Sequence, residues 1–128
     1  MGNSFVWMEL TTHNLEGAKE FYAKLFDWKI NQFPGGPMPY FIADTGSQPG
    51  GGMMSLPEPG VPTAWTVYIA VDDIDKYAAK LTELGGKVWK EPFEVPTVGK
   101  IAIVCDPQGA YFGLFQPLPG AACSASTK

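Results

Sequence analysis

Glu9 is the side chain best placed to do chemistry. It lies in the run Phe5 to Thr12, whose alternating pattern reads as a β-strand, so Trp7, Glu9 and Thr11 share one face. A carboxylate beside an indole is partly desolvated, which raises its pKa and its capacity to accept a proton. The role of Glu9 stays open: polar anchor or general base toward a bound molecule, a structural carboxylate satisfied by a backbone amide or a tyrosine hydroxyl, or a hydrated carboxylate at the rim. Trp7, Met54, Thr66, Tyr68, Tyr111 and Phe115 fall in the same parity class of their own strand-like runs, with Gly113 leaving a gap among them. Such residues build either a flat apolar wall suited to planar ligands or an ordinary core filled by its own side chains.

Other reactive residue types give weaker signals. His13, the only histidine, stands in a loop, where it reads as a solvated residue or as a pH-sensitive or catalytic group. Cys105 and Cys123 have neither metal-type spacing nor the density of a disulfide scaffold, and read as two free thiols. The triplet Gly50-Gly51-Gly52 lacks a following Lys-Ser/Thr and a strand-to-helix setting, so it reads as tight-turn geometry rather than a phosphate loop. Nine basic and thirteen acidic residues give a net charge of -4, with no Lys/Arg cluster to meet nucleic acid or an anionic membrane. With neither a signal-peptide pattern nor a long apolar run, the expected protein is soluble and cytoplasmic.

The elements that must position these residues occur twice, about 59 residues apart. Phe5–Thr12 and Ala64–Val71 are apolar strands running into Asn14 and Asp73, both suited to capping a helix N-terminus. Leu15, Ala18, Tyr22, Leu25 and Phe26 then form one apolar helical face, and Ile74, Tyr77, Ala78, Leu81 and Leu84 a second, which Gly85-Gly86 ends. Three strand-like runs follow each helix: Trp28–Phe33, Tyr40–Ala43 and Gly52–Leu56, then Lys87–Lys90, Lys100–Cys105 and Ala110–Gln116. Their last pairs are joined at Gln48-Pro49-Gly50 and Asp106-Pro107-Gln108-Gly109. Gly50 falls on Gly109, Pro37 on Pro96 and Leu25 on Leu84. This predicts an α+β fold of two tandem βαβββ modules, residues 4–56 and 64–117, with a proline-rich linker at 57–63. The modules form one domain over residues 1–120, and 121–128 is a frayed, flexible tail.

The chain resembles the vicinal oxygen chelate superfamily, which includes glyoxalase I, bleomycin resistance proteins and extradiol dioxygenases. The resemblance spans about residues 4–117 and rests on Trp7-Met8-Glu9-Leu10, Ala18-Lys19-Glu20-Phe21-Tyr22, Leu25-Phe26-Asp27-Trp28, Val71-Asp72-Asp73-Ile74, Leu84-Gly85-Gly86, Asp106-Pro107-Gln108-Gly109 and Phe112-Gly113-Leu114-Phe115. It implies a concave sheet, usually in a homodimer, with the Glu9 face lining a cavity. It also implies four metal-ligand positions, which fall on Trp7, Met54 or its neighbour Met53, Thr66 and Gly113. None is a usable donor for Zn, Ni or Fe. The resemblance therefore points to a metal-free, cofactor-free branch that binds a small hydrophobic or aromatic molecule. The alternatives are a metal-independent lyase, isomerase or dioxygenase-type enzyme with Glu9 as general base, a metal enzyme with ligands elsewhere, and a structural or regulatory dimer with a filled cavity.

Overall fold

The computed structural model describes residues 2–34, 39–47, 50–56, 62–95 and 98–118. Most of the 57–63 linker, the tail with Cys123, Gln48-Pro49, Pro37 and Pro96 lie outside them. The element order is β1 (Phe5–Thr12), α1 (Leu15–Phe26), β2 (Lys29–Gln32), β3 (Tyr40–Asp44), β4 (Gly51–Ser55), β5 (Ala64–Ala70), α2 (Ile74–Glu83), β6 (Lys87–Val95), β7 (Gly99–Cys105) and β8 (Tyr111–Pro117). The α+β class and the doubled strand-helix-strand-strand-strand order match the expectation. Two compact units result, one running from Trp7 to Thr66, the other joining the residues up to Val6 with those from Val67 onward.

In the Trp7–Thr66 unit the strands lie in the order β2-β3-β4-β1, antiparallel except for the β1/β4 pair. The Asn14 side chain accepts a 2.9 Å hydrogen bond from the Gly17 amide and so starts α1, which ends at Asp27 in the left-handed region, φ 59°. Leu10, Ala43 and Met53 are buried under this helix, with Leu15, Ala18, Tyr22, Trp28, Ile30 and Phe41 packed around them. The apolar row of α1 does not stay covered to its end. Leu25 and Phe26 are more than half exposed, because the last helical turn runs on past the sheet core into a surface aromatic group. There Tyr22 stacks on Trp28 at 5.8 Å, and the Trp65 indole donates to the Tyr22 hydroxyl at 3.2 Å.

In the second unit the order is β5-β8-β7-β6, with β5 and β8 parallel. Asp73 caps α2 by accepting from the Lys76 amide, and Gly85, at φ 100°, reverses the chain after it. The core is Val71, Ile74, Ala102, Val104 and Leu114, to which Tyr77 and Leu81 add from the helix. Leu84, assigned to the same apolar face, is 70% exposed because it is the C-cap rather than part of the last packed turn. The Asp106–Gly109 turn forms as expected, with the Asp106 carboxylate accepting from the Gln108 and Ala110 amides. Strand β6 runs five residues beyond its expected end at Lys90 and includes Pro92. An edge strand tolerates a proline, and the register slips between Val88 and Lys90 and again between Lys90 and Phe93.

Those irregularities alter the repeat arithmetic. Glu9 is in register with Gly52, and Tyr68, 59 positions after Glu9, is in register with Gly113. Gly113 therefore corresponds to Gly52 rather than to Met54, and Met54 corresponds to Phe115. The constant spacing holds through the helices and then drifts by two residues across the β2–β3 and β6–β7 hairpins, where Asn31 pairs with Ile42, eleven residues on, and Lys90 with Ile103, thirteen residues on. Among the described residues no helix is long and apolar enough to cross a membrane.

Candidate functional site

Strand parity sorts the first unit into two faces. Leu10 and Met53 point to α1, so Trp7, Glu9 and Thr11 on β1, Gly52 and Met54 on β4, and Tyr40 and Ile42 on β3 share the helix-free face. Met53, the alternative to Met54 at the expected ligand position, has no exposed surface and belongs to the helix-side core.

On the helix-free face, Trp7, Tyr40 and Glu9 form a hydrogen-bonded chain. The Trp7 indole donates to the Tyr40 hydroxyl at 2.8 Å. The Tyr40 hydroxyl in turn donates to the Glu9 carboxylate. Burial pushes the Tyr40 pKa far above the ordinary tyrosine range. The negative charge of Glu9 and its hydrogen bond push the same way, while the bond from Trp7 opposes them. Tyr40 is therefore a neutral phenol that accepts from one neighbour and donates to the other. All three residues keep part of their surface accessible, so the chain can meet a bound molecule as well as hold the strands together.

Gly52 makes this arrangement possible. A Cβ at position 52 would overlap the Tyr40 hydroxyl and the adjoining ring carbons. The phenol thus occupies the volume that any other residue on β4 would fill. The glycine triplet is not a turn, as its composition suggested: Gly51 and Gly52 are within β4, and neither has a positive φ. Close approach of a neighbouring ring, not backbone freedom, requires glycine there.

The second unit shows a related closure with different chemistry. A Cβ at Gly113 would overlap the Tyr68 ring, and Tyr68 is only 4% exposed. Phe115 is partly buried on β8, and Thr66, on β5, is a partly buried residue at the end of the first unit. Tyr111 is 53% exposed at the surface and meets Trp89 edge-on at 6.2 Å. His13 is exposed, with its Nδ1 3.0 Å from the Thr63 hydroxyl, and takes no part in the Glu9 face. Cys105 is a free, partly buried thiol at the end of β7.

Sequence reasoning placed Glu9 beside Trp7 and missed Tyr40 and Gly52. The usable signal was a glycine inside a strand-like run, which marks a close approach, but the approaching ring comes from another strand and only the register identifies it. The positions that the resemblance assigns to metal ligands carry no imidazole, thiolate or carboxylate. The register moves the first-repeat position of the last-strand ligand from Met54 to Gly52, so the four positions carry Trp7, Gly52, Thr66 and Gly113, two of them glycines closed over by tyrosine rings. Among the described residues no group of three or more His, Cys, Asp or Glu side chains could hold an ion.

Comparison with known proteins adds a second line of evidence. The family model described as Glyoxalase/Bleomycin resistance protein/Dioxygenase superfamily matches residues 4–114. CFP32 of Mycobacterium bovis, provisionally named a glyoxylase, is 38% identical over 117 residues, covering 91% of this chain and 45% of that protein. The anthracycline biosynthesis protein DnrV of Streptomyces peucetius is 28% identical over 125 residues, covering 86% of this chain and 46% of its own length. The chain thus spans about half the length of these curated relatives. Among solved structures, protein BH1468 of Bacillus halodurans superposes with a TM-score of 0.68 at 12% identity, covering 91% of this chain and 95% of the other. Methylmalonyl-CoA epimerase of Mycobacterium tuberculosis gives 0.66 at 15% identity, covering 93% and 91%. At those identities the likeness is one of fold.

Proposed function

The chain belongs to the glyoxalase/bleomycin resistance protein/dioxygenase superfamily, and from that premise we propose that it binds a small hydrophobic or aromatic molecule without a metal. The observation that carries this reading is the Trp7–Tyr40–Glu9 chain on the helix-free face of the first unit. It offers an indole and a phenol as apolar surface and a carboxylate that fixes orientation. The metal-free part rests on the donor set. Side chains of tryptophan, threonine and glycine supply no imidazole, thiolate or carboxylate at the family's ligand positions. A homodimer belongs to the same reading, supported by the exposed apolar residues Phe21, Leu25, Phe26 and Trp65.

The test is Glu9→Gln. The amide is nearly isosteric and its carbonyl can still accept from Tyr40, so the fold should hold. Affinity for a planar aromatic ligand found by a thermal-shift screen should fall by about 1.5–3 kcal/mol as a charge-assisted hydrogen bond is lost. A drop in melting temperature with unchanged affinity would make Glu9 a structural carboxylate.

A second reading is favoured by the same hydrogen-bonded chain: metal-independent proton transfer, with Glu9 as base and Tyr40 holding it in place. It predicts that Glu9→Gln abolishes turnover while leaving substrate affinity within a few fold.

A further inference from the structure

We draw no further inference here: the strongest candidate, the surface patch that the exposed side chains of Phe21, Phe26 and Trp65 form around Tyr22 and Trp28 at the end of α1, carries nothing beyond the homodimer already proposed, because nothing in the structure shows what covers it.

Discussion

The phenol of Tyr40 lies where a side chain on Gly52 would have to be. The two residues sit on adjacent strands, Tyr40 in register with Met54 and Gly52 with Ile42, so the ring reaches diagonally over the glycine. Only from there does the hydroxyl join Trp7 and Glu9. Gly52 is thus a steric requirement of the hydrogen-bonded chain, although it contributes no atom to it.

Gly52→Ala should therefore act through Tyr40. Displacing the ring breaks two hydrogen bonds, and overpacking of this kind costs about 1–3 kcal/mol. In a Tyr40→Ala background the same substitution should be close to neutral, since the overlapping atoms are gone. A double-mutant cycle by urea denaturation measures the coupling, and additive effects would rule out the steric account.

Metal content offers an independent check on the ligand positions. Protein expressed in medium supplemented with Zn, Ni and Fe, then desalted, should carry well under one equivalent of any of them, and chelators should leave ligand binding unchanged. One tightly held equivalent that survives desalting would show that donors come from outside the positions occupied by Trp7, Gly52, Thr66 and Gly113.

Much of the architecture was legible because local signals and tertiary packing agree. Asn14 and Asp73 cap helices as their chemistry suggests, and Glu9 shares a face with Trp7 because period-two alternation survives in β1. What was hidden depends on register. A fixed 59-residue spacing put Met54 where the pairing puts Gly52, since the bulged β6–β7 hairpin is two residues longer than the β2–β3 hairpin and shifts everything after it. Tyr40 was out of reach for the same reason: no local pattern tells a strand which residue of its neighbour lies beneath its side chain. The exposed Leu25, Phe26 and Leu84 carry a further lesson, that helical periodicity identifies a face but not how far along it the sheet extends.

Packing beneath α1 gives the largest expected stability effect in the first unit. Met53 has no exposed surface and sits among Leu10, Ala43 and the helix residues Leu15 and Ala18. Met53→Ala should cost about 2–5 kcal/mol. The neighbouring Met54→Ala, on the helix-free face and only partly buried, should cost less while altering ligand affinity. A larger loss from Met54→Ala than from Met53→Ala would contradict the assignment of the two faces.

Tyr40 makes a prediction about alkaline stability whose sign follows from linkage. Burial, then the charge and hydrogen bond of Glu9, raise its folded-state pKa well above the ordinary value of 10.0. Below that value the phenol is protonated in folded and unfolded chains alike, and its contribution to stability is fully present. Above it the unfolded chain loses the proton while the folded chain keeps it, so the contribution declines as pH rises, by up to about 1.4 kcal/mol per pH unit. Tyr40→Phe removes the ionisation together with both hydrogen bonds. Near pH 8 the variant should be less stable than wild type by about 1–3 kcal/mol, because Trp7 loses its acceptor and Glu9 a donor. Between pH 10 and 11 the gap should narrow, since only the wild type gains stability of its unfolded state through this phenol. Urea denaturation curves of both proteins at half-unit steps from pH 8 to 11 measure the difference, and a gap that stays constant or widens would show that Tyr40 ionises as readily in the folded protein as in the unfolded one.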